Sequence, residues 1–280
     1  MILVTGATGN VGAEVVRHLP EPSQVIAAAR NPQKARQQLG DSVRYAAFDF
    51  ADPATFAPAL EGVTKLFLVR PPAISDAALF EPLLTTANEV GVQQIVFLSL
   101  QGVEKVSFVP HAKIEALIEE SGIPYTFLRA GFFMQNLSTT HREDIAQRNE
   151  VFVPAGTSRT AFIDVRDIGE VAARVLSEPG HTNCAYVLTG SQSLTYEQVA
   201  QIFSEELGRP IRYTNPSLLT FVRQMWHRGH SLPQSLVMAF LYTMTRRGQA
   251  EEVSDMAANI LGHSTRTLAQ YVHDYRACWE

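Results

Sequence analysis

Cysteine is scarce in this chain of 280 residues: only Cys184 and Cys278 occur, far apart in sequence. Neither stands in a C-x-x-C pair or at a zinc spacing, so the residues form no disulfide framework and no cysteine-built metal centre. Long apolar runs are lacking as well. The most apolar late stretch, Leu236 to Met244, is too short to span a bilayer, so no membrane partner is expected. There is no basic excess: 23 Lys and Arg stand against 28 Asp and Glu, a net charge of −5, which gives no general affinity for nucleic acid. Repeats and low-complexity segments are absent. The first residues already read as a core strand, so no leader is expected ahead of them, and a reduced, cytoplasmic setting is expected. The residues leave monomer and homodimer open.

Two local absences matter more. No acidic residue occurs between Glu21 and Asp41, and no Tyr-x-x-x-Lys occurs anywhere. Their meaning depends on what surrounds them.

The chain is organised around Met1 to Leu19. Met1-Ile2-Leu3-Val4-Thr5 is apolar and β-branched and reads as a buried strand. Gly6-Ala7-Thr8-Gly9-Asn10-Val11-Gly12 follows at once, and Val11, Val15 and Leu19 then repeat at helical spacing until Pro20 and Pro22. Glycines 6, 9 and 12 give G-x-x-G-x-x-G rather than G-x-G-x-x-G. Between a strand and a helix, such glycines allow a tight turn and the approach of a pyrophosphate, and the helix N-terminus offers free N–H groups and a positive dipole end. Gly6, Thr8, Gly9, Asn10, Val11 and Gly12 are therefore candidate cofactor-binding positions; a plain strand–helix turn is the alternative.

Strand and helix patterns alternate through the first half. Strands are predicted at Gln24 to Ala29, Val43 to Phe48, Lys65 to Val69, Gln94 to Ser99 and Tyr125 to Arg129. Helices are predicted near Pro32–Leu39, Pro53–Leu60, Asp76–Val90 and Pro110–Glu120. This spacing predicts βαβ units and an α/β fold with a doubly wound parallel sheet, its ligand at the carboxyl ends of the strands. Residues 1–150 are assigned to the dinucleotide-binding domain, its sheet completed by 165–190. Residues 151–164 and 191–280 are assigned to a smaller, mostly helical C-terminal lobe on the substrate side. In the second half, short strands are expected at Val151–Pro154, Thr160–Asp164 and Ala185–Leu188, with a helix at Asp167–Leu176. Thr195-x-x-Gln198 and Thr267-x-x-Gln270 are capping boxes that open two further helices.

The missing acid now has a meaning. NAD enzymes hold the ribose 2′-hydroxyl with an Asp or Glu near the end of the second strand. Here that strand ends in Arg30, followed by Lys34 and Arg36, and a guanidinium there suits a 2′-phosphate. NADP(H) is thus the expected cofactor, unless these are simply solvated surface cations. Asp49 is placed to accept from the adenine amino group or to cap the next helix, and Phe50 to pack on the adenine ring. Val69 and Arg70 leave the fourth strand over the cofactor, and Ser99 ends the fifth, facing the nicotinamide or serving structure alone.

Gly6 to Gly12, Arg30-Asn31-Pro32-x-Lys34, Phe48-Asp49, Lys113…Glu115…Ser121-Gly122-Ile123-Pro124-Tyr125-Thr126-x-Leu128-Arg129, Phe133-x-x-Asn136-Leu137 and Ile163-Asp164-Val165-x-Asp167-Ile168 together resemble the NmrA-like group of atypical short-chain dehydrogenase/reductases. The motifs run to about residue 176; the last hundred residues resemble the group only loosely. The resemblance implies a Rossmann sheet and one of several activities: quinone reductase, triphenylmethane dye reductase, isoflavone-reductase relative, or a regulator that binds the dinucleotide without turnover. Ordinary short-chain dehydrogenases use the tyrosine of Tyr-x-x-x-Lys as general acid. Here the matching lysine is Lys113, and Val109 stands four positions before it. By resemblance Lys113 reaches the nicotinamide ribose, as its catalytic positioning residue; an exposed helix lysine is the alternative.

Without the tyrosine, simple ketones and sugar epimerisation are disfavoured. A quinone-like or dye-like planar acceptor needs no strong acid, because hydride transfer gives a stabilised product that water can protonate, and positioning supplies much of the rate. Gly131 offers close approach to the nicotinamide, and Phe132, Phe133 and Asn136 are candidate substrate-binding residues, with interdomain packing as the alternative for the two rings. His111 is considered as a proton donor, with an exposed helix-start histidine the alternative. His227-x-x-His230 lacks a third ligand, so no metal site is assigned. The expected function is an NADPH-dependent oxidoreductase acting on such an acceptor; the alternative is a redox-sensing regulatory protein that binds NADP(H) and a protein partner without catalysis.

Overall fold

The computed structural model describes residues 1–280. In chain order it forms β1 (Ile2–Val4), α1 (Asn10–His18), β2 (Val25–Ala29), α2 (Pro32–Leu39), β3 (Arg44–Ala47), α3 (Phe56–Leu60), β4 (Lys65–Val69), α4 (Glu81–Glu89), β5 (Gln94–Leu100), α5 (Pro110–Glu120), β6 (Tyr125–Ala130), β7 (Phe132–Phe133), α6 (Gln135–Ser138), α7 (Arg142–Arg148), β8 (Glu150–Phe152), β9 (Arg159–Ile163), α8 (Val165–Ser177), β10 (Cys184–Leu188), β11 (Ser193–Thr195), α9 (Tyr196–Leu207), β12 (Arg212–Thr214), α10 (Leu218–His227), α11 (Leu232–Arg246), α12 (Met256–Leu261) and α13 (Leu268–Asp274). Short 3₁₀ turns fill several connections.

Two compact units result. The first comprises Met1–Ala130, Val165–Leu188 and Met256–His263; the second comprises Gly131–Asp164, Thr189–Asp255 and Ser264–Glu280. The division differs from the expected one at residues 131–150 and 189–190, which lie in the second unit, and at 256–263, which lie in the first. The reason is packing: Met134, Leu137 and Ile145 belong to one buried cluster with Val151, Tyr196, Phe203 and Trp279. The short helix α12, which no strong periodicity announced, returns the chain to the first unit.

The first unit is a seven-stranded sheet in the order β10-β6-β5-β4-β1-β2-β3. Every pairing in it is parallel. Leu3, Val4, Leu66, Phe67, Ile95 and Val96 are fully buried. Consecutive buried residues mean that both faces of the sheet are covered, as parallel sheets require. The strand order reverses between β1 and β4, and such a switch point opens a crevice at the carboxyl ends of the strands. Thr5 fastens it, its hydroxyl donating to the Phe67 carbonyl at 3.0 Å and accepting from the Val69 amide at 2.9 Å. On one face α1 packs on α8 so closely that a Cβ added to Gly169 would lie 2.4 Å from the Cβ of Glu14.

Local chemistry sets the boundaries. Asn31 caps α2, its side chain accepting from the Lys34 amide at 3.0 Å, and Pro32 opens the helix. Pro110 opens α5 in the same way. The patterns at 53–60 and 76–90 each split into a 3₁₀ turn and a helix, α3 and α4. Pro58 and Pro82 fall in their first turns, where the missing N–H is tolerated, but neither proline could continue a helix from upstream.

The second unit holds two small sheets, β11-β9-β7 and β12-β8. Its helices α9, α11 and α13 each open with a reciprocal capping box, formed by Thr195 and Gln198, Ser231 and Gln234, and Thr267 and Gln270. Its core also contains a buried carboxylate, Asp144, paired with Arg148 and Arg228.

Candidate functional site

The glycine turn after β1 is built from the backbone outward. Gly6 has φ +61°, a conformation in which a side chain would be strained, and its carbonyl accepts from the Gly9 amide at 2.8 Å. Gly9 is the N-cap of α1 and makes no side-chain cap, so the first amides of the helix are left for another acceptor. A Cβ on Gly12 would lie 2.2 Å from the Gly6 carbonyl oxygen, and one on Gly6 would touch Val69 at 3.5 Å. Thr8, Gly9 and Asn10 are exposed at the rim of this turn, while Val11 is buried and anchors α1 to the sheet. The turn thus sits at the β1/β4 switch point with bare backbone facing out, which is the surface a pyrophosphate requires.

Arg30 directly follows β2 and is exposed, with its guanidinium in no ion pair. Lys34 is exposed in the first turn of α2. Arg36, by contrast, is committed to Asp41 at 3.6 Å and lies over the ring of Tyr45. Asp49 accepts from the Ala51 amide at 3.0 Å, and its own amide donates to Thr55 at 3.1 Å, so it shapes the loop after β3. The Phe50 ring is 7 % exposed and packs against Phe48 and Phe80 at centroid distances of 4.9 and 5.0 Å. It is chiefly a core residue with one edge at the surface.

Arg70 donates to the carbonyls of Pro71 and Ile74 and, at 3.3 Å, from Nε to Nε2 of His111. Burial and this guanidinium push the His111 pKa down to about 3. His111 is therefore neutral at pH 7 with Nε2 occupied as an acceptor, which removes it as a proton donor. Sequence reasoning missed the pair because Arg70 and His111 lie on different elements and no local pattern links them. Ser99, at the end of β5, is buried with its hydroxyl unpartnered. Lys113 is exposed in the first turn of α5, and Val109 is that helix's N-cap. The neighbouring Glu115 is buried and grips Arg129 through two hydrogen bonds of 3.1 and 2.7 Å. That pair locks α5 to β6.

Two features of the first unit fit a dinucleotide: the cradle that Cβ atoms would fill, and the orphaned hydroxyl of Ser99. Gly131, Phe132, Phe133 and Asn136 lie in the second unit. Phe132 and Phe133 form β7, in register with Phe162 and Ile163 of β9, and both rings are half-buried. Phe132 lies 6.2 Å from the ring of Tyr242. Asn136 is half-buried and its carbonyl accepts from the His141 amide at 3.0 Å. No cluster of His, Cys, Asp or Glu is arranged to hold a metal ion, and no helix is long and apolar enough to cross a membrane.

With this geometry in place, the likeness to known proteins is specific. The chain is 35 % identical to the NAD(P)H azoreductase of Xenophilus azovorans, over all of this chain and 99 % of that protein. It is 30 % identical to quinone oxidoreductase 2 of Escherichia coli (strain K12), over 97 % of each. The structure superposes on the NADPH complex of the Escherichia coli NADPH-dependent quinone oxidoreductase with a TM-score of 0.90, at 28 % identity, covering 98 % of this chain and 99 % of that one. The Citrobacter triphenylmethane reductase complexed with NADP(H) gives 0.87 at 28 % identity, covering 98 % and 99 %. Residues 1–271 match the family model of the NmrA-like family, and the chain belongs to that family.

Proposed function

We propose that this protein is an NADPH-dependent oxidoreductase whose acceptor is a planar, electron-poor molecule of the quinone or dye class. The observation that carries the cofactor choice is Arg30: an exposed, unpaired guanidinium directly after β2, with no acidic residue nearby in sequence to take the role a ribose hydroxyl demands. The relatives named above, with quinone, azo-dye and triphenylmethane reductases among them, support the acceptor class.

NADPH, when bound, supplies the reducing hydride. The chain's own residues do the rest. The Gly6–Gly12 backbone and the N-terminus of α1 hold the pyrophosphate, and Arg30 with Lys34 holds the 2′-phosphate. Asp49, Phe50, Val69 and Arg70 border the adenine and loop side, while Ser99 and Lys113 orient the nicotinamide end by hydrogen bonding. Phe132 and Phe133 offer flat apolar surface to the acceptor, with Gly131 leaving room beside it and Asn136 a polar contact. Val109 has no proton to give and His111 is neutral, so neither supplies the acid of an ordinary short-chain dehydrogenase, and water suffices to protonate a stabilised product. Catalysis then rests on positioning two reactants, which is a large term by itself.

The test is the loss of NADPH absorbance with 1,4-benzoquinone and, in parallel, with a triphenylmethane dye. Turnover that NADH supports poorly is the expected result. Tight NADPH binding with no turnover on any acceptor would replace this reading with a dinucleotide-sensing regulator.

A further inference from the structure

Helices α10 and α11, both in the second unit and packed together, turn the wrong kind of surface outward. A surface helix normally points its polar face to water. Along α11 no charged residue occurs from Ser231 to Thr245. Its inward face is Ser235, Ala239, Tyr242 and Thr245, all buried. Its outward face is Leu232, Leu236, Val237 and Leu241, all exposed, Val237 by 58 %. On α10, Leu219 and Trp226 stand seven residues apart and so share one outward stripe, exposed by 84 % and 61 %. Contiguous exposed apolar surface of this kind marks an interaction site.

The charge around the patch identifies what covers it. From Leu207 to Ala250 there is no acidic residue, and there are six arginines, in a chain whose net charge is −5. Arg228 is committed to Asp144, and Arg209 to the carbonyls of Ile145 and Trp279. Arg212, Arg223, Arg246 and Arg247 remain exposed. Arg223 stands between Leu219 and Trp226 on the α10 stripe, beside His227, and Arg246 and Arg247 close α11. A two-fold contact through this stretch would bring no carboxylate from residues 207–250 of the other copy to these arginines. Glu251 and Glu252 follow directly after this stretch, and Glu251 lines one cavity with Arg246, so the cations that flank the apolar stripe are Arg223 on α10 and Arg247 at the end of α11. Exposed Leu, Val and Trp carrying arginine in the stripe and at its end is a composition that seats a helix in the headgroup layer of an anionic bilayer.

We propose that α10 and α11 form an interfacial docking surface for an anionic lipid membrane, lying on it without spanning it. The surface would hold the protein where lipophilic acceptors dissolve. It stands independently of the oxidoreductase reading, because vesicle binding needs no turnover.

The experiment uses the full chain and two kinds of vesicle, phosphatidylcholine alone and phosphatidylcholine mixed with phosphatidylglycerol. Co-sedimentation is expected to be at least about tenfold stronger with the anionic vesicles and to weaken as salt is raised. Tryptophan emission is expected to shift to shorter wavelength on binding, and the shift to vanish in Trp226→Phe, since the only other tryptophan, Trp279, is already buried. The double variant Leu236→Glu with Val237→Glu, at two exposed positions, is expected to abolish sedimentation while NADPH affinity stays unchanged. Absence of binding to anionic vesicles, equal binding to both lipids, or binding that survives the double variant would each overturn the proposal. So would a solution dimer that the double variant dissociates, which would assign the face to a second copy.

Discussion

Gly12 faces the carbonyl oxygen of Gly6 across the first turn so closely that a Cβ would lie 2.2 Å from that oxygen and 2.6 Å from its carbon. Both atoms belong to backbone, which cannot swing aside as a side chain would. Gly12→Ala is therefore expected to push α1 away from β1, with a loss of stability of about 1–3 kcal/mol and a larger proportional loss of NADPH affinity. At Gly9 the nearest atom to an added Cβ is the same oxygen at 3.2 Å, so Gly9→Ala should do less. Urea unfolding and NADPH titration of the two variants check the order; equal effects would show that the turn is not the cradle.

Arg30→Ala removes the guanidinium assigned to the 2′-phosphate. Charge-assisted hydrogen bonds to phosphate support an expected loss of roughly 10- to 100-fold in NADPH affinity, with NADH affinity nearly unchanged. Parallel titrations with the two nucleotides decide it. An equal fall for both would move the phosphate site elsewhere, with Lys34 the next position to examine.

Ser99 carries a buried hydroxyl with no partner, an arrangement that ordinarily destabilises a protein by about 1–3 kcal/mol. If that hydroxyl is reserved for the nicotinamide end of the cofactor, Ser99→Ala should leave the cofactor-free protein equally stable or slightly more so. NADPH affinity should fall severalfold in the same variant. Thermal unfolding with and without NADPH separates the two effects. A variant less stable without cofactor would show that Ser99 serves structure alone.

These three sites differ in how far the sequence revealed them. The glycine turn was legible as a turn, because strand, turn and helix are contiguous and each carries its own local signal. The sheet was legible for the same reason: β4, α2 and α5 fall where alternation and proline placed them. Arg30 stands out in the sequence through an absence, the missing acid after β2, and the structure leaves it exposed directly after that strand. The pairing of Arg70 with His111 was not, since it joins the end of β4 to the start of α5 through space. Nor was the allocation of residues 131–150, whose Met134, Leu137 and Ile145 are buried against residues as far along the chain as Tyr196, Phe203 and Trp279. The close approach of α1 and α8 was visible only as a lone glycine inside a helix pattern, Gly169.

That glycine makes a fourth prediction. An added Cβ at Gly169 would meet the Cβ of Glu14 at 2.4 Å and its carbonyl carbon at 2.8 Å. Gly169→Ala should therefore raise helix propensity locally and still destabilise the protein, by about 1–3 kcal/mol, because the two helices must separate. NADPH affinity per folded molecule should hardly change, since α8 carries no assigned contact. A stabilised variant would mean that α1 and α8 have room to slide.

His141 supplies a prediction in pH. It is buried in the second unit, with Nε2 hydrogen-bonded to the Tyr242 hydroxyl at 2.7 Å. Burial, and then the nearby Arg228 and His230, push its pKa from 6.5 down to about 4. Above about pH 6.5 the ring is neutral in both folded and unfolded chain and stability does not depend on it. As the pH falls below that value, the unfolded chain takes up a proton that the folded one refuses, so stability declines. The decline levels off near pH 4, where the folded protein is protonated as well, after a loss of at most about 3 kcal/mol. His111, depressed further, acts in the same direction. Urea midpoints measured between about pH 7 and pH 4.5 should therefore fall steadily in the parent, and less steeply in His141→Gln. The two single variants, His141→Gln and His111→Gln, should each remove part of the slope, and the double variant more than either. An unchanged slope in the double variant would show that neither imidazole sets the acid sensitivity.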